Sequence, residues 1–295
     1  MGKQKVVEIS SNDSLEKGFQ KLSDGNVLSA PVWSEETRKY TGFLDMRDLV
    51  SSVVFIAEQA TSPATKTLAD LFVNAKWVGG AFSVTYLSRR NPLRAVKLGD
   101  SLVSVAELLS SKTGAAKLKR VAVLDEAGKA IGIVSQTSIV SFLAKEIAAH
   151  HAHLGKTVAE LKLGAHPVVA IDESAPALEA FRVMDARRIT GLAIVAANGR
   201  LTGNISARDL KLFIKHIDFD RLLQPVGEFV KQLRQSDIDI MSPTVTVFPT
   251  ATFDLVVGKL AATKVHRIFV VSDEASFRAE RVISLVDVLA AALNH

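Results

Sequence analysis

The 295-residue sequence contains no cysteine, which excludes disulfide bonds, thiolate metal sites and cysteine nucleophiles. Aromatic residues make up only 6% of the chain and leave few rings for stacking nucleic-acid bases. No apolar run approaches the roughly 18 residues that a membrane-spanning helix requires, since the best stretch, residues 49–57, is short and holds two serines. These absences argue against thiol chemistry, nucleic-acid binding and a membrane span.

Positive charge is present but dispersed. The chain has 36 lysines and arginines against 31 aspartates and glutamates, a net charge of +5. These basic residues fall in short scattered groups rather than a stripe, so we expect no nucleic-acid partner. The start lacks the cleavage pattern of a secretion signal, and Val6 stands where N-myristoylation prefers Ser or Thr. We therefore expect a cytoplasmic or nuclear protein.

One pattern of structural signals recurs four times along the chain. Each copy has an apolar helix stripe, a β-rich run, a turn, and a second β-rich run that leads through Gly-x-Ile/Val-Ser-x-x-Asp into another helix. The third copy, at residues 203–209, is complete, whereas the others carry Asp45 for the serine, Ser138 for the aspartate and Arg281 for the glycine. Helix capping explains one Ser-x-x-Asp. It does not explain four copies with the same flanking elements, which predict a repeat protein.

This order and motif resemble CBS (cystathionine-beta-synthase-type) repeats. The resemblance implies an α/β (α+β) fold of four β-α-β-β-α repeats, with repeat 1 paired to repeat 2 and repeat 3 paired to repeat 4 in two Bateman modules. We place the repeats at residues 1–50, 95–149, 150–220 and 221–295, and a helical connector at residues 51–94. In the connector, residues 67–78 predict an amphipathic helix, whose Phe72 and Trp77 are buried or dock a partner.

Four repeats with little other sequence resemble the gamma regulatory subunit of AMP-activated protein kinases. The sharpest local likeness is at residues 265–271, where His266 and Arg267 match a pair in the last repeat of that family. Lys119 and Arg120 stand at the corresponding place in repeat 2. The resemblance implies a non-enzymatic subunit that binds AMP, ADP or ATP and regulates a protein partner, a kinase or another protein. A second copy of the chain is a further candidate partner.

The motif supplies groups for each part of a nucleotide. Asp209 and Asp287, with Asp48 third, are candidates for the ribose hydroxyls, since a carboxylate at a helix start can bind backbone donors with one oxygen and a ligand with the other. Ser206, Ser284 and the neighbouring helix amides suit phosphate oxygens. Adenine is expected against residues 166–169 and 242–246, which include Pro167, Val168 and Thr244. The candidate phosphate cations are His266, Arg267, Arg208, Arg188, Arg120 and Lys119.

Several alternatives stay open at this point. Arg208 and Arg188 are also explained as surface helix charges. In the N-terminal module, Asp45 would repel phosphate and Ser138 removes a carboxylate, so we expect weak binding or none there. A structural interaction scaffold with vestigial clefts is therefore the competing function. No metal is expected, because the histidines of residues 150–153 lack acidic or cysteine partners at ligand spacing, and no catalytic motif is present.

Overall fold

The computed structural model describes residues 6–59, 83–110, 118–150, 153, 155–213, 219–235 and 244–294. The helix predicted at residues 67–78, with Phe72 and Trp77, lies outside these ranges, as do residues 242–243 of the predicted adenine strand.

The first repeat contains three strands and two helices in the predicted order. Its first strand runs parallel to the second, and the second pairs antiparallel with the third. The elements are β1 (Ile9–Ser10), α1 (Leu15–Asp24), β2 (Ser29–Ser34), β3 (Lys39–Asp45) and α2 (Met46–Gln59). A short helix, α3 (Val84–Arg89), follows and packs against β3.

The same order returns three more times. Repeat 2 has β4 (Ala95–Lys97), α4 (Leu102–Ser110), β5 (Arg120–Leu124), β6 (Ala130–Ser135) and α5 (Gln136–His150). Repeat 3 has β7 (Ala170–Asp172), α6 (Ala177–Arg187), β8 (Gly191–Val195), β9 (Leu201–Ser206) and α7 (Asp209–Phe213), followed by a 3-10 turn (Phe219–Leu223) and α8 (Val226–Gln235). Repeat 4 has β10 (Thr246–Val247), α9 (Phe253–Thr263), β11 (Arg267–Val271), β12 (Ala279–Ser284) and α10 (Leu285–Leu293). The predicted fold of four β-α-β-β-α repeats is confirmed.

The likeness of the repeats extends to local irregularities. Each sheet has three strands in sequence order, and each antiparallel hairpin carries a register shift next to the last residue or two of its first strand. Such bulges increase the local twist of a hairpin. In the hairpins of repeats 2 and 3, Gly128 and Gly199 take positive φ angles of 76° and 81°, a conformation that glycine adopts without strain.

Within each module the two repeats contact each other through their sheets, repeat 1 with repeat 2 and repeat 3 with repeat 4. In the first module, the backbone N–H of Ala130 donates to the Tyr40 hydroxyl at 3.0 Å. In the second module, Phe269 and Leu201 meet in a small buried cluster that joins the two sheets. The predicted pairing into two Bateman modules is therefore confirmed.

Helices make the contacts between the modules. Helix α2 of repeat 1 packs on α6 of repeat 3, where the Ser51 hydroxyl donates to Asp185 at 2.5 Å. On the other side, α5 and α4 of repeat 2 pack on α9 and α10 of repeat 4. One hydrophobic core joins repeat 1 to repeat 3 and α8. Another joins repeat 2 to the strands and helices of repeat 4 and also includes Val158 and Leu163. Each fully buried phenylalanine in them, such as Phe181, contributes about 1.5–3 kcal/mol. None of the helices in the described ranges is long and apolar enough to cross a bilayer.

Candidate functional site

All four repeats line one cavity of about 730 Å³. Its walls come from the starts of the second strands and the ends of the third strands, which is where the repeated motif lies. This volume is in the range of small-molecule pockets, roughly 300–1,000 Å³. The cavity is therefore the candidate ligand site.

Equivalent residue pairs surround the cavity. In each repeat the first residue of the second strand lies opposite the motif residue that ends the third strand. These pairs are Ser29 with Asp45, Arg120 with Ser135, Gly191 with Ser206, and Arg267 with Ser284. Repeats 2 and 4 thus supply an arginine, and repeats 1 and 3 a small residue. Each arginine reaches into the other repeat of its module, Arg120 to Asp45 and Arg267 to Thr190. Gly191 leaves room for the guanidinium of Arg267.

The cavity wall is rich in basic side chains, namely Lys119, Arg120, Arg188, Arg208, Lys264, His266 and Arg267. Within the part of the chain that the structure describes, Arg120 is the one member of this set with a carboxylate at ion-pair distance, Asp45 at 3.3 Å. Arg267 instead donates to the hydroxyl of Thr190 at 2.8 Å. A concentration of positive charge with so little counter-charge suits an anionic ligand.

The pKa values of the cluster reflect both burial and mutual repulsion. Burial, and then the charges of Arg267 and Lys119, lowers the pKa of His266 to about 3, so its imidazole is neutral near pH 7. Burial also lowers the pKa of Lys119 to about 7, although the nearby Asp45 opposes this shift. The pKa of Arg267 falls to about 10 for the same reason, burial. An anion in the cavity would stabilise the charged form of each group.

The fourth motif retains its carboxylate at the cavity. Asp287 borders the cavity and accepts from the backbone N–H of Ser284 at 2.8 Å and from its hydroxyl at 2.5 Å, in a capping box that starts α10. Ser206, Arg208, Pro167 and Val168 also line the cavity. Of the predicted site residues, the structure brings together Asp287, Ser284, Ser206, His266, Arg267, Arg208, Arg120, Pro167 and Val168.

Asp209 is placed differently from our expectation. One of its oxygens accepts from the backbone and hydroxyl of Ser206 at 2.7 and 2.9 Å. The other oxygen, which we expected to face a ligand, accepts from Nε and Nη2 of Arg234 at 3.3 and 3.2 Å. Asp209 is only 4% exposed and does not border the cavity. The prediction of a free oxygen on Asp209 is therefore wrong, because an arginine of α8 occupies it.

Asp48 and Thr244 also lie away from the cavity wall. Asp48 is buried behind Asp45, where one oxygen accepts from the Asp45 backbone at 2.9 Å and from the Asn91 amide at 2.8 Å. Burial and the charge of Asp45 raise the pKa of Asp48 to about 7, so this carboxyl is a poor partner for a ribose. The Thr244 hydroxyl donates to Oδ1 of Asn204 at 2.9 Å instead of facing the cavity.

The lining residues that the sequence analysis did not single out include Thr190, Gly191 and Lys264. Thr190 and Gly191 hold the same strand positions in repeat 3 as His266 and Arg267 in repeat 4, and aligning the four copies at this point would have found them. Lys264 and Arg188 share another position, the C-cap of α9 and of α6, with φ angles of 55° and 52°. Glycine is the usual residue in this left-handed conformation, so two cations there are uncommon.

The fit between Gly191 and Arg267 leads to a stability prediction. A Cβ atom at residue 191 would overlap the guanidinium of Arg267 and lie 2.7 Å from the carbonyl oxygen of Ile205. We expect Gly191→Ala to lower the free energy of unfolding, measured in urea, by about 1–3 kcal/mol. Gly203→Ala in the same sheet is the control, because its Cβ would meet Ile194 at ordinary contact distances. Equal unfolding curves for the two variants would contradict this account.

Comparison with known proteins agrees with this repeat architecture. The CBS domain profile matches residues 85–145, 158–216 and 236–294, together more than half of the chain. The chain belongs to the CBS-domain family. These matches fall on repeats 2, 3 and 4, and the first CBS repeat shares their strand order and register.

Relatives of this CBS protein come from fungi and plants. It is 26% identical to protein SDS23 of Eremothecium gossypii, covering 90% of this chain and 57% of that protein, and 26% identical to protein sds23/moc1 of Schizosaccharomyces pombe, covering 90% and 66%. The chain thus spans a little over half to two thirds of these relatives. It is also 26% identical to the SNF1-related protein kinase regulatory subunit gamma-1 of Arabidopsis thaliana, covering 96% of this chain and 78% of that subunit.

Solved structures share the fold of the whole chain. MJ1225 from Methanocaldococcus jannaschii, proposed to be an archaeal homologue of g-AMPK, superposes with a TM-score of 0.70 at 14% identity and covers 97% of this chain and 96% of that one. A conserved protein of Pyrococcus horikoshii gives a TM-score of 0.56 at 18% identity, with coverages of 98% and 96%. Two archaeal structures therefore share the fold of nearly the whole chain.

Proposed function

We propose that this protein is a non-catalytic regulatory subunit that binds an adenine nucleotide in its central cavity. The observation that carries this proposal is the cluster of basic side chains, in which Arg267, Arg208 and Lys119 have no carboxylate at ion-pair distance within the described residues. Phosphate oxygens are the counter-charge that such a cluster fits best. Arg188 and Lys264, held in left-handed helix caps at the cavity wall, add to the same field.

The remaining parts of a nucleotide also find suitable groups. We assign the ribose hydroxyls to Asp287, the motif carboxylate that borders the cavity. Apolar lining residues suited to the adenine face include Pro167, Val168 and Val245. The same cavity contacts all four repeats, so a ligand with different affinity for two arrangements of the modules would shift the balance between them.

The partner is proposed from the relatives. The plant relative is named as a regulatory subunit of a protein kinase, and we propose that this chain likewise regulates a kinase or another protein in trans. A homodimer remains a prediction, as does a cytoplasmic or nuclear location.

A structural scaffold with vestigial clefts is the competing proposal. It is favoured by the capture of Asp209 by Arg234 and by Ser138, which has no carboxylate to offer. In repeat 2, the backbone N–H of Ser135 donates to the Ser138 hydroxyl at 2.8 Å, so the serine preserves the helix cap alone. A scaffold needs that cap but no ligand.

Calorimetric titration with adenosine, AMP, ADP and ATP separates the two proposals. We expect the wild type to bind AMP and Arg267→Gln to bind it about ten- to a hundredfold more weakly, the worth of one charged hydrogen bond. Adenosine has no phosphate, so its weaker binding should be unchanged by this substitution. Arg187→Gln removes a charge from an exposed position outside the cavity and is the control. Failure of the wild type to bind any of the four ligands would favour the scaffold.

A further inference from the structure

The two modules differ at one equivalent position of the cavity wall. Asp45 and Ser206 both end the third strand of an odd-numbered repeat, and both border the cavity. Both donate their backbone N–H to the carboxylate three residues later, at 2.9 Å to Asp48 and at 2.7 Å to Asp209. The backbone is therefore the same in the two modules, and the difference is the side chain.

That difference decides what faces the cavity arginine. In the C-terminal module Arg267 meets the Thr190 hydroxyl, and no carboxylate of the described residues lies at ion-pair distance. In the N-terminal module Arg120 meets the Asp45 carboxylate at 3.3 Å, with the side chains only 15% and 9% exposed. Arg267 therefore has its charge available for a ligand, whereas the charge of Arg120 is already paired with Asp45.

Asp45 is held as an anion from more than one side. Its second oxygen accepts from the Arg47 backbone at 2.9 Å and lies 3.5 Å from Nε of Arg47. Burial alone would raise the pKa of Asp45, but Lys119, Arg120 and Arg47 outweigh it and bring the pKa to about 2. A negative charge thus lies at the cavity wall beside Arg120, Arg47 and Lys119.

We propose that Asp45 is a built-in counter-ion that fills the anion subsite of the N-terminal module, so that the cavity takes one phosphate-bearing ligand, on the Arg267 side. This inference rests on the proposed function and specifies it. The carboxylate satisfies Arg120 and repels a second phosphate. Ser206 leaves the equivalent subsite of the C-terminal module open.

A reciprocal exchange of the two residues tests the proposal. AMP and inorganic pyrophosphate are titrated calorimetrically into the wild type, Asp45→Ser and Ser206→Asp. We expect one equivalent bound by the wild type, two by Asp45→Ser, and none by Ser206→Asp. Serine is the residue that the other three repeats carry at this position, so the folded backbone should tolerate it. Asp24→Ser removes the same charge from an exposed site and should leave the stoichiometry at one.

The outcomes separate this proposal from the function on which it rests. If Asp45→Ser gains a second equivalent, adding Arg120→Gln should abolish it. This arm of the test does not depend on correct folding of the Ser206→Asp variant. If AMP binds to none of the proteins but the stoichiometry of pyrophosphate changes as expected in the two variants, the counter-ion proposal is supported and the proposed nucleotide function is contradicted. If the wild type binds AMP and the Asp45→Ser isotherm superposes on it, the counter-ion proposal is overturned.

Discussion

Replacing Arg234 with methionine is expected to lower the free energy of unfolding by about 3–5 kcal/mol, because it leaves the Asp209 carboxylate buried without its counter-charge. The two side chains are 16% and 5% exposed, and Arg234 gives Asp209 two hydrogen bonds. Arg234 also donates to the carbonyl oxygen of Asn204 at 2.8 Å, so the substitution removes a third hydrogen bond. Urea unfolding measures the loss.

Lys231→Met on the same helix is the matched control. Its ion pair with Glu228 spans 4.0 Å between side chains that are 63% and 56% exposed, so we expect a change of at most about 1 kcal/mol. The double variant Arg234→Met with Asp209→Asn should recover part of the loss, because the buried charge is gone while the amide still accepts from Ser206. A double variant as unstable as the sum of the single changes would contradict the ion-pair explanation.

Acidification is expected to destabilise the wild type more than a His266→Gln variant. The ordinary pKa of histidine is 6.5 and that of native His266 is about 3. Between these values the unfolded chain carries a proton that the native protein lacks, so each pH unit of acidification favours unfolding by up to about 1.4 kcal/mol. This contribution to stability is complete above pH 6.5 and is lost as the pH falls toward 3.

Unfolding midpoints measured from pH 8 to pH 4 for both proteins give the difference directly. Asp48 has the opposite sign, because its raised pKa makes the native protein bind an extra proton below about pH 7. Since Asp48 is present in both proteins, its effect largely cancels in the comparison. Parallel curves would show that His266 is not held neutral. With saturating AMP the difference should shrink, because a bound phosphate favours the charged imidazole.

The repeat order could be predicted from the sequence because its signals are local. Turn glycines such as Gly128 and Gly199, the Ser-x-x-Asp caps and the apolar stripes each act over a few residues, and four copies reinforce one another. The pairing of repeats into modules followed from the family resemblance. The packing of α2 on α6 and of α5 on α9 carries no local signal, since it depends on which helix faces meet after the modules form.

The site could be predicted only where a residue's role depends on its own strand or helix start. His266 and Arg267 enter β11 at the cavity, and Asp287 starts α10 there. The prediction for Asp209 was wrong because Arg234, 25 residues further along the chain, donates to its carboxylate. Asp45 was expected to repel phosphate, and the structure adds its ion pair with Arg120, which no spacing in the sequence indicates.

The two kinds of interface together close the four repeats into a ring. Sheets join repeat 1 to repeat 2 and repeat 3 to repeat 4, while helices join repeat 1 to repeat 3 and repeat 2 to repeat 4. An open array of repeats has two end units whose outer faces must be polar, and it can fray from either end. A ring has no such ends, so removal of any one repeat breaks two interfaces at once. The four repeats should therefore unfold together in one cooperative transition rather than one repeat at a time.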